Sequence, residues 1–162
     1  MLTATVQDYD SMGRTQDYWQ CTPSNCGASS IWHSNYLYKY TGEVYQWTHP
    51  AGYTLYNTIS AARRITQIQS SLVSTYQPQY PAQSINYTPW GAVSQLVNGD
   101  AGSGAEAEET YMYNNRLQPA VIELGTTSLP TLYSCLVYDY YGSQPQGCSF
   151  PSSGTNDNGN VM

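Results

Sequence analysis

A recurring frame limits this chain more than any other feature. It first appears as Tyr9-Asp10-Ser11-Met12-Gly13-Arg14, with an aromatic residue four positions before a glycine. The same spacing returns at Tyr38-Lys39-Tyr40-Thr41-Gly42, Tyr87-Thr88-Pro89-Trp90-Gly91, Tyr138-Asp139-Tyr140-Tyr141-Gly142 and, with a β-branched residue leading, Thr155-Asn156-Asp157-Asn158-Gly159. Glycine reaches positive φ without the steric cost of a Cβ. A glycine at a constant distance from an apolar strand end therefore marks a reversing turn. Two copies are imperfect. Ile59 to Ile65 carries Arg63 in the glycine position, and Tyr113-Asn114-Asn115-Arg116-Leu117 reads as one residue short, with Asn115 at the turn. The seven turn positions step by 29, 21, 28, 24, 27 and 17 residues, an irregular series near the length of a few-strand β repeat.

The residues between turns alternate as strands do. Asn35 to Tyr40 leads into one turn and Glu43 to Thr48 leaves it. His49-Pro50-Ala51-Gly52 makes the next turn, and Tyr53 to Ile59 returns. Thr58 to Val73 also carries apolar residues at helical spacing, but Ile65-Thr66-Gln67-Ile68-Gln69 alternates and lies in the repeat frame, so a strand is expected there. A lone hairpin is marginal in water, whereas stacked hairpins share one sheet and core. The predicted fold is all-β: antiparallel hairpin repeats over 1–162 in a coiled or solenoid-like sheet. It comprises about seven units, the first and last of them incomplete.

Composition narrows the function classes. Charged residues are 10% of the chain, against about 25% in an average domain. The net charge is −6 with only five basic residues, which argues against nucleic-acid binding, where a basic patch is needed. No apolar run approaches the ~18 residues of a membrane span, and no signal peptide is visible at Met1 to Asp10. Cys21 with Cys26 and Cys135 with Cys148 form two close pairs. They are candidate disulfides of an oxidising compartment.

Candidate chemistry is sparse. Gln20 to Gly27 places a glutamine six residues before Cys26-Gly27, as in papain-like peptidases, but the only histidines, His33 and His49, follow closely and none lies far downstream. Without a placed base, a thiol stays protonated and weakly reactive. His33 and His49 have no acid or cysteine cluster at ligand spacing, and Glu106, Glu108 and Glu109 lack the pattern of a calcium loop. The expectation is no enzyme, no metal and no cofactor. The aromatic residues Tyr9, Tyr36, Tyr38, Tyr40, Tyr45, Trp47, Tyr53, Tyr56, Tyr87, Tyr113 and Tyr138 form a candidate ladder. Such ladders hold sheet register, and an exposed one would instead stack on sugar rings.

The frame Tyr9-Asp10-Ser11-Met12-Gly13-Arg14, followed by Thr48-His49-Pro50-Ala51-Gly52-Tyr53-Thr54, resembles the RHS/YD-repeat family. That family's pattern is Tyr-Asp-x-x-Gly-Arg, an alternating stretch, an x-Pro-x-Gly turn and a second Tyr-Asp. The resemblance spans essentially the whole chain, although several copies have lost the acidic residue after the tyrosine. It implies antiparallel strands spiralling into a long sheet, often a hollow shell. Such shells belong to large secreted or surface proteins and can enclose a toxin; the related teneurin repeats serve adhesion. It also implies scaffolding without catalysis, with Gly13, Gly42, Gly91, Gly142 and Gly159 as repeat turns. No plug, self-cleaving core motif or toxin is present, and the chain stops within a unit. The expected function is an extracellular or cell-surface structural protein whose partners are other copies of itself, stacked end to end as a filament. The alternatives are a piece of a larger shell, or an adhesion module that binds surface glycans.

Overall fold

The computed structural model describes residues 3–21, 32–74, 78–100, 106–126, 132–142 and 147–151. Its chain falls into two compact units, Met1–Pro81 and Ala82–Met162. Unit 1 holds β1 (Thr3–Tyr9), β2 (Thr15–Cys21), β3 (Trp32–Tyr38), β4 (Val44–Thr48), β5 (Thr54–Ile59) and β6 (Ile65–Ser70). They pair in chain order, each antiparallel to the next. Unit 2 holds β7 (Ser84–Tyr87), β8 (Val93–Asn98), β9 (Ala107–Tyr113), β10 (Pro119–Gly125) and β11 (Ser134–Val137), again a meander in chain order. The fold is all-β, and the described residues contain no helix and hence no membrane-spanning helix. Reading 1–162 as one array leads to the expectation of one continuous sheet; the described strands make two.

Six hairpins turn in the same way. In each five-residue turn the first N–H donates to the fifth carbonyl, and the fourth N–H donates to the first carbonyl. The turns are Asp10–Arg14, Lys39–Glu43, His49–Tyr53, Ser60–Arg64, Thr88–Ala92 and Asn114–Gln118. This is the three-residue hairpin loop, a type I turn closed by one residue in the left-handed region. Gly13, Gly42, Gly52 and Gly91 take that fourth place with φ between 76° and 105°. Arg63 takes it at 61°. The copy at Asn114 is full length: Leu117, not Asn115, occupies the left-handed position at 64°. Gly142 also has positive φ, at 70°; Gly159 lies outside the described residues. The turn at Ser60 explains why helical spacing fails over Thr58 to Val73. It reverses the chain and delivers Ile65 to Ser70 as β6.

The side chain at the first turn position holds the turn shut. Asp10 Oδ1 accepts from the N–H of Met12 and of Arg14, both at 2.9 Å, and Asn114 Oδ1 accepts from Arg116 and Gln118, both at 3.0 Å. The His49 Nδ1, Ser60 Oγ, Thr88 Oγ1 and Asp139 Oδ1 atoms each accept one backbone N–H at 2.9 to 3.2 Å. Short polar side chains favour turns because they mimic a backbone acceptor. The acidic residue of the repeat frame is therefore replaceable by any such acceptor.

Packing is thin. Strands β2 and β4 are half-buried along their whole length, without the apolar-in, polar-out alternation of a sheet on a deep core. The buried apolar side chains among the described residues, Ala82, Val97, Ala120, Val121, Tyr140 and Pro151, all lie in unit 2. Unit 1 depends instead on cross-strand pairs, each worth about 0.2–1 kcal/mol.

Two substitutions isolate the turn conformation. A Cβ at Gly13 would meet nothing within 4 Å, so Gly13→Ala tests backbone strain alone. It is expected to lower stability by about 1 kcal/mol. Leu117→Gly, at a half-exposed position in the same conformation, is expected to raise stability by up to about 1 kcal/mol. Urea denaturation midpoints read both, and an unchanged midpoint in both variants would refute the assignment.

Candidate functional site

The candidate site is the row of turns at one end of each sheet, where one hairpin is fastened to the next. In a meander, alternate turns share an end, so the turns at Asp10, Lys39 and Ser60 line one end of unit 1. The turns at Thr88 and Asn114 line one end of unit 2. Beside each of these five turns the register shifts by one residue. The pairs Tyr38 with Val44 and Leu37 with Gln46 show how: Tyr45 is the extra residue. Thr66, Ser94 and Ala120 are extra at the same distance from their turns, as is Gln16 in the first hairpin, where Gln7 on β1 is a second extra residue that brings the register back. Each is a β-bulge, which offsets the ladder and sharpens local twist.

The carbonyl just before the bulge receives a side chain from the next hairpin. Thr15 O accepts from the Tyr38 hydroxyl at 2.8 Å, and Val93 O accepts from the Tyr113 hydroxyl at 2.6 Å. Val44 O accepts from Asn57 Nδ2 at 3.0 Å, and Pro119 O accepts from the Tyr140 hydroxyl at 3.1 Å. Tyr38 and Tyr113 each stand immediately before a turn. A tyrosine there has two tasks: its ring covers the sheet, and its hydroxyl ties one repeat to the one before it. In the last described copy Tyr140 supplies the hydroxyl, while the N–H of Tyr138 donates to the bulged Ala120 carbonyl at 2.8 Å.

Arginines reinforce the row in unit 1. Arg14 Nε pairs with Asp10 at 2.5 Å, its Nη1 donates to Lys39 O at 2.9 Å, and the guanidinium lies 4.6 Å from the centre of the Tyr38 ring. From the other side, Arg63 pairs with Glu43 and donates to Thr41 O. The Lys39 turn is thus held by cations from both neighbouring turns. It is also the one turn whose first residue has no short polar side chain.

These contacts set the protonation of the acids. Desolvation works to raise the Asp10 pKa, but the N–H groups of Arg14 and Met12 and the Arg14 guanidinium outweigh it, and the net shift is downward. The hydroxyl of Thr41 and the guanidinium of Arg63 bring Glu43 down to about 2. At Asp17 desolvation likewise works to raise the pKa, but the hydrogen bonds from Asn35 and His33 outweigh it, and the net shift is downward. In unit 2 the Glu109 carboxylate accepting from the Tyr111 hydroxyl, aided by desolvation, pushes that phenol up to about 12.

The expected aromatic ladder is not a single file. Tyr36 and Trp47 are direct cross-strand partners with parallel rings 6.2 Å apart, but the row continues into Leu55 and Ser70. Trp47, His49 and Tyr53 form a second cluster around the Pro50 turn. Tyr45 sits in a bulge and Tyr87 and Tyr138 precede turns. Tyr9, Tyr40 and Tyr56 are exposed, Tyr40 by 88%, whereas the other rings of the set are half-buried. The rings are therefore neither a buried ladder nor one continuous exposed platform.

Other candidates are occupied structurally. His33 Nε2 lies 2.6 Å from Asp17 and its ring stacks on Trp19 at 4.4 Å. Cys21 is disulfide-bonded, and Cys26 lies outside the described residues. Cys135 and Cys148 are joined by a disulfide with Cα atoms 5.8 Å apart. Glu106 is buried, and Glu108 and Glu109 lie on β9, facing Gln95 and Asn98 of β8, so these acids are not a free acidic loop.

Two outcomes test the site. Tyr38→Phe keeps the ring but strands the Thr15 carbonyl, and is expected to cost about 1 kcal/mol, read by urea denaturation. Tyr45→Phe, whose hydroxyl has no part in the tie, is expected to cost less. Acidification tests the anions. A carboxylate with a lowered folded pKa stabilises above its ordinary pKa, and that contribution is lost as pH falls through the folded value. For Glu43 the window runs from 4.5 down to about 2. The urea midpoint should fall across that window, and Glu43→Gln should flatten the fall.

The sequence matches no family model, and no curated protein is recognisably similar to it. Solved structures do resemble the fold. The chain is similar to the crystal structure of TcdB2-TccC3-TEV, with a TM-score of 0.69 at 15% identity over 85% of its length. It is also similar to the crystal structure of TcdB2-TccC3, with a TM-score of 0.70 at 14% identity, and to that of TcdB2-TccC3-Cdc42, with a TM-score of 0.69 at 14% identity. In each case it spans only 7% of the other chain, and likeness at this identity is a likeness of fold alone.

Proposed function

We propose that this chain is a structural segment of an RHS-type shell, a wall element without catalysis. The observation that carries this reading is the repeated tie from each hairpin to the one before it. The Tyr38, Asn57, Tyr113 and Tyr140 side chains all end on the same kind of carbonyl. Such a device propagates a sheet from one hairpin to the next. The repeat frame, with its resemblance to YD repeats, and the fold likeness to the much longer TcdB2-TccC3 chains support the same reading. The Cys135–Cys148 disulfide suits an extracellular or cell-surface location.

End-to-end assembly with other copies is the competing reading. It draws on the terminal strands of the two meanders, because strand edges invite pairing. Negative-stain electron microscopy and sedimentation velocity over a rising concentration series separate the two. A wall segment is expected to give discrete particles that do not lengthen with concentration. Filaments that grow with concentration would overturn it in favour of a self-assembling fibre. Retention on immobilised glycans, abolished by Tyr40→Ala, would overturn it in favour of an adhesion module.

A further inference from the structure

We propose that Glu123, Cys135 and Cys148 form a redox-gated site for a thiophilic divalent cation of the zinc class. Their donor atoms, one carboxylate oxygen and two sulfurs, lie within 4.8 Å of one another. Three separate segments supply them. Glu123 on β10 and Cys135 on β11 are direct cross-strand partners, so their side chains leave the same face of the sheet. Cys148 comes from the segment after Gly147 and closes over that face, its Sγ 3.2 Å from Glu123 Oε1.

That last contact is the telling one. In the disulfide, Cys148 Sγ has no proton to donate, so the carboxylate rests against sulfur without a hydrogen bond. A carboxylate and two sulfurs converging in this way are a ready donor set once the bond is opened. Thiolate and carboxylate together suit zinc, which binds sulfur at about 2.3 Å and carboxylate oxygen at about 2.0–2.2 Å. Tetrahedral geometry then needs the sulfurs only about 4 Å apart, a separation that side-chain rotation provides from Cα atoms 5.8 Å apart. All three residues are half-buried, so an ion has access, and water can fill the fourth position.

The exchange balances simply. A thiol or phosphine reductant delivers two electrons to the S–S bond, and two protons give two thiols. The cation then displaces those two protons and binds two thiolates beside the Glu123 carboxylate. In a reducing compartment the cation closes the strand β11 region; in an oxidising one the disulfide replaces it. The proposal does not depend on the shell reading.

The test uses the full chain with Cys21→Ser and Cys26→Ser, so that the other cysteine pair cannot bind. The protein is reduced with a phosphine under anaerobic conditions and titrated with zinc by calorimetry. Cadmium titration, followed by the thiolate charge-transfer absorbance, gives a second readout. One ion per reduced chain and none per oxidised chain is expected. Glu123→Gln is expected to weaken binding about tenfold or more, and Cys148→Ser to weaken it further and to lower the thiolate charge-transfer absorbance to about half. Binding unaffected by both substitutions, or no binding by the reduced chain, overturns the proposal. If reduction unfolds the chain, zinc should restore its strand circular dichroism, and failure to do so overturns the proposal equally.

Discussion

The five hairpins that turn at the bulged end of these sheets carry the same defect, and the defect is what joins them. A bulge one residue into the outgoing strand pushes the ladder out of step, so the carbonyl beside it needs a partner from elsewhere. The next hairpin supplies that partner from a tyrosine hydroxyl or an asparagine amide. A buried or half-buried carbonyl left without a donor costs about 1–3 kcal/mol, so each unit depends on its successor. A bulge also adds local right-handed twist to the strand that carries it.

This arrangement accounts for the composition. A sheet with few buried apolar residues cannot rely on a deep core, and unit 1 has no fully buried apolar side chain among its described residues. Tyrosine meets the need because one residue gives both ring area and a hydroxyl at its tip. In unit 1 charge gathers at one row of turns, where Arg14 and Arg63 flank the Lys39 turn. There Asp10 and Glu43 are held as anions. In unit 1 these ion pairs stitch neighbouring turns together.

The turn frame was readable because its requirements are local. A short polar acceptor at the first place and a glycine at the fourth are visible within five residues. That is why Arg63 was recognisable as a stand-in for glycine. The copy at Asn114 is ambiguous in sequence for the same reason: neither Asn115 nor Leu117 is glycine, and only the backbone reveals that Leu117 turns left-handed. The ladder is not legible in the sequence because alternation assigns a residue to a face but not to a row. Tyr36 meets Trp47, yet Leu55 stands where the next ring was expected. Glu123 was missed altogether, since no spacing in the chain links it to Cys135 or Cys148.

By itself, then, the sequence determined the all-β class, the places where the chain reverses and the cysteines able to pair. These follow from backbone preferences and alternation, which act over a few residues. Tertiary structure alone decided the bulges, the carbonyl each tyrosine reaches, the division into two sheets, and the meeting of Glu123 with the disulfide. All of these depend on register between strands. A one-residue slip carries every side chain to the opposite face, so no local pattern specifies which distant atoms come to lie together.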